Sequence, residues 1–201
     1  MCGRYYMDHD TAREIEKLVR QMDETRRQES IGITGDITAG EVCPGSRALV
    51  LSVKNGSVCC EWQHWGFRGF KGKQLIFNAR CESALEKPMF RDGLLHRRIV
   101  IPAAWFYEWN HRKEKNTFRR RDMPILFMAG FSRRYEDGEH FLILTTAANR
   151  SMEPVHDRMP LILEQEEIRE WLFNGAQTEN LLRKIPGLLE RECDYEQMSL
   201  F

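Results

Sequence analysis

Apolar residues fall at Ala12, Ile15, Leu18, Val19 and Met22 with charged residues between them, a 3.6-residue spacing that predicts an amphipathic helix over residues 10–29. Asp10 or Thr11 can cap its start. The chain then becomes glycine- and threonine-rich over residues 31–42, which predicts a loop. Beyond that loop the period shortens to two. Residues 48–53 and 58–62 flank Asn55-Gly56, a dipeptide suited to a two-residue hairpin turn. Further strands are predicted at 75–77, 99–101, 125–130 and 141–146, a short helix at 82–86, and two late helices at 165–173 and 178–185. No repeat, low-complexity tract or linker interrupts this order. The pattern predicts one α+β domain over residues 1–201, with a mostly antiparallel β core and peripheral helices.

A chain of 201 residues can bury a core without disulfide staples. Its six cysteines, Cys2, Cys43, Cys59, Cys60, Cys81 and Cys193, include no C-x-x-C pair, so no metal site and no cofactor is expected. The adjacent Cys59-Cys60 reads as a pair of buried thiols in a strand. The first residues are polar and charged, and no apolar run approaches the length of a membrane span, which predicts a soluble cytoplasmic protein. The 30 basic and 30 acidic side chains cancel, so there is no global charge signature of nucleic-acid binding. The balance hides a gradient. Residues 111–121 carry six Lys/Arg against one acid, whereas the stretch after Pro160 carries nine acids against four bases. The basic run is either a face that attracts a polyanion or a solvated hairpin tip.

Cys2 carries the most specific chemistry. One cut after Met1 would place a free amine and a thiol on one carbon skeleton, a 1,2-aminothiol. An aldehyde condenses with the amine to an imine, and the thiol then closes a five-membered thiazolidine. With ordinary values of about 7.7–8.0 for an α-amine and about 8.5 for a thiol, both nucleophiles are expected in useful amounts near neutral pH. The plain alternative is the second residue of a frayed terminus. Other polar residues lie within or beside apolar segments: Asn78 and Arg80 in FNARCES, Glu108 in IPAAWFYEW, and His156 with Arg158 in PVHDRMP. A carboxyl flanked by Trp105, Phe106, Tyr107 and Trp109 should be partly desolvated, which favours its neutral form and suits it to give and take a proton. An imidazole such as His156 changes charge in the physiological range. Taken singly, each has a structural reading: an ion-pair partner, a satisfied core histidine, a turn.

Together these blocks resemble the SRAP family, named for SOS response-associated peptidases. The resemblance rests on Met1-Cys2-Gly3-Arg4, Trp65-Gly66, Asn78-Ala79-Arg80 with Glu82, Phe106-Tyr107-Glu108-Trp109, Thr145-Thr146-Ala147 and His156-Asp157-Arg158-Met159-Pro160, in that order. It implies a barrel-like β core, and capture of abasic sites in single-stranded DNA by a thiazolidine between the processed Cys2 and the opened sugar. In that scheme Asn78 holds the amine of Cys2, while Glu108 and His156 flank the reacting carbon. Abasic-site lyase activity, by β-elimination from the imine, and self-removal of Met1 are further implications.

An abasic position offers no base edge, so grip should come from phosphates and stacking. Arg4, Arg80 and Arg158 are the phosphate candidates, and Trp65, Phe67 and Phe70 the stacking candidates. Core packing is the alternative for Trp65, and a buried pair with Asp157 or Glu108 for Arg158. The expected partner is single-stranded DNA, with no membrane and no metal; the expected state is a monomer, associated with the nucleoid when bound. Two departures from the family pattern stand out. Trp105 replaces a glycine common in relatives, which predicts a bulkier wall near Glu108, and residues 35–40 lack the usual asparagine and proline. Rival functions are a conventional thiol hydrolase using Cys2 with His156, and a non-catalytic module that binds single-stranded DNA.

Overall fold

The computed structural model describes residues 2–22, 39–69 and 74–194. Strand β1 (Arg4–Met7) leads into helix α1 (His9–Met22), and β2 (Gly40–Val42) precedes the hairpin of β3 (Arg47–Lys54) and β4 (Ser57–Trp65). A small pair, β5 (Phe67–Arg68) and β6 (Leu75–Ile76), is followed by β7 (Asn78–Arg80), α2 (Cys81–Ala84) and α3 (Pro88–His96). Then come β8 (Arg98–Ala103), β9 (Trp105–Trp109), β10 (Lys115–Arg119), β11 (Leu126–Tyr135), β12 (Gly138–Ala147), β13 (Arg158–Pro160) and β14 (Ile162–Leu163). Helices α4 (Gln165–Phe173) and α5 (Thr178–Leu182) and strand β15 (Glu190–Cys193) complete the order.

The pairings run β12–β4–β3–β8–β11 and return to β12, which closes these strands into a barrel. All are antiparallel except β4 on β12, where His64 and Trp65 run parallel to His140 and Phe141. Alternate residues of the barrel strands enter different cores. Leu49, Leu51, Val100, Phe127 and Leu142 pack with Ile15, Phe90, Ile168 and Trp171 of the helices. Val50, Ile101, Met128 and Ile143 pack with Cys2, Tyr5, Phe106 and Phe118. Strands buried on both faces read as near-continuous apolar runs, and each buried side chain of this size contributes about 1.5–3 kcal/mol. The Asn55-Gly56 turn between β3 and β4 has φ of 51° and 78°, the two positive values of a type I′ hairpin.

Helix α3 was not predicted. It begins on Pro88 and contains Gly93, where an added Cβ would lie 2.6 Å from the Phe131 ring and 2.7 Å from Ser132 O. The glycine that weakens its helical pattern is what lets it approach β11. Nearby, buried Arg98 donates from Nε to Trp171 O at 2.6 Å and from Nη1 to Leu94 O and Leu95 O at 2.9 and 2.8 Å. One guanidinium thus gathers carbonyls from the ends of α3 and α4, where the helix dipoles favour a cation.

A second sheet, ordered β15–β10–β9–β1–β2, packs over the apolar cluster that contains Cys2. It resolves the charge gradient. Arg119 pairs with Glu190 and Glu192 at 3.4 and 3.6 Å, Arg121 with Glu190 at 3.5 Å, and Lys115 with Asp194 at 3.9 Å. The strand of the basic run therefore lies against the acidic late segment, while the hairpin tip at His111, Arg112 and Lys113 is exposed. Exposed pairs of this kind add little stability singly, but they neutralise the strand. The predicted helix 10–29 is observed to residue 22; its last residues and most of the 31–42 loop lie outside the described residues.

Candidate functional site

The site grows from the centre of the five-stranded sheet. Register pairs Tyr5 with Phe106, Phe118 with Phe106, and Asn116 with Glu108. Side chains alternate across a strand, so Tyr5, Phe106, Glu108, Asn116 and Phe118 share the buried face while Arg4, Tyr107, Trp109 and Lys115 lie on the other. Glu108 keeps 7 % of its surface and Asn116 none. The turn between β9 and β10 is shaped by Asn110, whose Oδ1 accepts the backbone N–H groups of Arg112 and Glu114 at 2.9 and 3.0 Å.

Cys2 lies two residues ahead of the first residue of β1 and is fully buried, which excludes a frayed terminus at this residue. Asn78 at the start of β7 reaches it: Nδ2 donates to Cys2 O at 2.9 Å, and no donor among the described residues meets the buried Oδ1. The contact is to the carbonyl of Cys2, not to its nitrogen. Burial, reinforced by nearby Glu108, pushes the Cys2 thiol up to about 12. That corrects the expectation of a partly ionised thiol near neutral pH. The Tyr5 phenol, also fully buried, is raised by burial and then by the Cys2 thiol, and its hydroxyl has no partner among the described residues.

His156 follows Val155, which packs with Met159 in the apolar cluster that also holds Cys2. Its Nδ1 lies 2.9 Å from the Arg158 backbone N–H, which donates, and 2.7 Å from Asp157 Oδ1. The first contact needs a bare Nδ1 and the second a protonated one, so the proton decides between them. Cys2 thus meets Asn78 through its carbonyl, and Glu108 acts on its thiol.

The residues read as DNA contacts divide. Arg80 is exposed, two residues along β7 from Asn78. Arg4 is half exposed, paired with Glu41 at 2.5 Å and lying 5.6 Å from the Trp109 ring centroid. Arg158 is committed elsewhere: Nη1 and Nη2 grip the two oxygens of Glu82 at 2.6 and 2.8 Å, and Nη2 also donates to Thr145 O at 2.5 Å. Its partner is thus neither Asp157 nor Glu108, and its guanidinium is not open to a phosphate. Trp65 and Phe67 are fully buried, with the Trp65 indole donating to Phe77 O at 2.9 Å, so neither offers a face to a base. Phe70 lies outside the described residues. Trp105 turns to the face opposite Glu108 and stacks on Tyr6 at 4.4 Å, so it forms no wall beside the carboxyl.

Sequence reading missed Tyr5, Asn116 and the Glu82–Arg158 pair. Asn116 was hidden in the basic run. Its position across the Asn110 turn from Glu108 was the available signal.

The family model for SOS response associated peptidase (SRAP) matches residues 1–199. The chain belongs to this family. Among curated relatives it is 34% identical over 139 residues to the abasic site processing protein YedK of Escherichia coli, covering 65% of this chain and 63% of that protein. It is 38% identical over 106 residues to the abasic site processing protein YoqW of Bacillus subtilis, covering 48% and 47%. The chain thus spans less than two thirds of the curated relatives it matches first. A crystal structure of a Bacteroides thetaiotaomicron protein superposes with a TM-score of 0.74 at 25% identity, covering 96% of this chain and 91% of the other. One from Bordetella bronchiseptica gives 0.75 at 21%, covering 96% and 99%. These likenesses agree on an α+β fold with a mostly antiparallel barrel core.

Proposed function

We propose that this protein captures abasic sites in single-stranded DNA through Cys2 after removal of Met1. The observation that carries the reading is the convergence of a buried Cys2, held by Asn78 at 2.9 Å, with the carboxyl of Glu108 close enough to act on its thiol. The names of the relatives supply the substrate class.

The open aldehyde of the abasic sugar meets the neutral amine of Cys2, and the N–C1′ bond forms a carbinolamine. Glu108, as the acid, gives its proton to the carbinolamine hydroxyl; water leaves and an iminium remains. The Glu108 carboxylate then takes the proton of the Cys2 thiol as sulfur adds to C1′, which closes the thiazolidine and restores the acid. One water is released and Glu108 ends as it began. This route needs no free thiolate beforehand, consistent with a thiol held near 12. Asn78 Oδ1 is available to accept from the new α-amine. His156 serves the liberated sugar hydroxyl or the neighbouring phosphate, and loss of a C2′ proton from the iminium gives strand cleavage as a side branch. Arg80 and Arg4 supply phosphate contacts. A single strand bends to a terminal residue more readily than a duplex does.

The test is denaturing gel electrophoresis of the protein with an oligonucleotide carrying one abasic site. The expected product is a slow-migrating adduct that survives boiling, lighter than the sum of its parts by one water, and absent for Cys2→Ala and for protein that retains Met1. Cys2→Ser should give only an imine that needs borohydride to trap. A full-strength stable adduct from Cys2→Ser contradicts ring closure. Hydrolysis of peptides or amides by protein with a blocked amine would favour the thiol-hydrolase reading, and unchanged DNA affinity without any adduct the binding-module reading.

A further inference from the structure

The barrel has two ends, and only one of them serves Cys2. On its inner face Trp65 of β4 and Phe141 of β12 stack at 6.1 Å. From Phe141, β12 runs on to Ile143, which pairs in register with Asn78, the residue that reaches Cys2. Two residues the other way along the same two strands stand Gln63 and Glu139, and side chains alternate, so both share the face of the Trp65–Phe141 pair. Ser132 of β11 pairs in register with Phe141 and joins them on that face. Here the inner face turns from apolar to polar. These three residues, with Glu61, Ile99 and Leu172 among others, line a cavity of about 370 Å³, within the range of about 300–1,000 Å³ usual for small-molecule sites.

The hydrogen bonds of this end leave acceptors over. Gln63 keeps 2 % of its surface, and its Nδ-type amide nitrogen, Nε2, donates to Glu61 Oε2 at 3.1 Å. A carboxylate only accepts, so the nitrogen faces Glu61 and Gln63 Oε1 faces away, buried and without a donor among the described residues. Glu139 has one oxygen, Oε1, 3.6 Å from Arg134 on the rim; its other oxygen, Oε2, is buried and also lacks a donor among the described residues. Ser132 Oγ donates to Arg97 O at 3.4 Å, which leaves its lone pairs as a third acceptor. A buried acceptor left unmet costs roughly 1–3 kcal/mol.

The field at this end favours a cation. Against the cost of burial, the hydrogen bond to Glu61 and the charges of Glu61 and Glu139 hold the Lys54 ammonium above its ordinary value. Two arginines line the cavity without opposing this: Arg97 pairs with Asp92, and Arg98 turns Nε and Nη1 to helix carbonyls. We propose that this end of the barrel binds a small primary ammonium on an aliphatic stem, at a site separate from that of Cys2. Its three N–H donors match Gln63 Oε1, Glu139 Oε2 and Ser132 Oγ, and its stem lies against Ile99 and Leu172. Both unmet oxygens sit in the cavity wall, and the last torsion of Gln and Glu is broad, so a modest turn aims them at the guest. The site does not rest on the capture reaction.

The experiment is a titration of the whole protein with butylammonium, followed by NMR of the Gln63 side-chain amide and the Ile99 and Leu172 methyl groups. The expected result is a saturable shift of all three, with affinity about ten-fold weaker in Glu139→Gln, the size of one hydrogen bond to a charged group. Tetramethylammonium carries the same charge without an N–H, and it should leave these signals unmoved. A cavity that takes only water gives no saturation with millimolar butylammonium, and that result overturns the proposal. So do equal shifts with tetramethylammonium, or undiminished affinity in a folded Glu139→Gln. If Glu139→Gln does not fold, the comparison of the two cations in the wild type decides.

Discussion

Arg98 and Arg158 are both largely withdrawn from water, yet they finish their hydrogen bonds in different ways. Arg98 has carbonyl partners only from the ends of α3 and α4, and burial alone lowers its basicity. Arg158 is neutralised by both oxygens of Glu82 and ties β13 to α2. The first fastens helices to the barrel through fixed backbone dipoles. The second joins the segment carrying His156 to the segment following Asn78, through a carboxyl that a proton can neutralise. The barrel–helix region is thus locked by groups that do not titrate, and the site region by one that does.

Replacing each arginine separates the two regions. Arg98→Met strands several buried carbonyls and is expected to cost roughly 3–5 kcal/mol in chemical denaturation, with the acid sensitivity of the remaining structure unchanged. Arg158→Met should cost less, about 2–3 kcal/mol, because Glu82 is half exposed and can turn to water. Its effect should also depend on pH. Arg158 holds the Glu82 carboxyl below its ordinary 4.5, so this contribution is full above that value and is lost as pH falls through the lowered one. Acid titration of unfolding should show a flatter decline in Arg158→Met and in Glu82→Gln than in wild type; parallel curves would place the arginine's contribution elsewhere. The smallest effect is expected for Tyr5→Phe. Its hydroxyl meets no partner among the described residues, so thermal unfolding should shift by no more than about 0.5 kcal/mol, in either direction.

The same division explains what the sequence revealed. Strands β3, β11 and β12 were legible because strands buried on both faces are apolar almost throughout, and β4 because its residues alternate and Asn55-Gly56 marks the hairpin turn directly. Helix α4 was legible from 3.6-residue spacing. The strands β1, β10 and β15 were not, because all three are short, and β10 and β15 are rich in charge and satisfy one another across the sheet. Glu108 and Asn78 could be singled out as polar residues within apolar words. Asn116 could not, since its relation to Glu108 exists only once the Asn110 turn sets the register. Arg158 misled because sequence cannot show that Glu82, 76 residues earlier, already occupies it.

The pairing of basic β10 with acidic β15 bears on how a DNA strand would be held. An acidic strand laid along a basic one takes the place a phosphodiester chain would otherwise compete for. Few counterions are then left to be displaced when DNA arrives, so affinity should respond only weakly to ionic strength. Retention would depend on the bond made at C1′ more than on charge, and a strand lacking the lesion would leave as easily as it came.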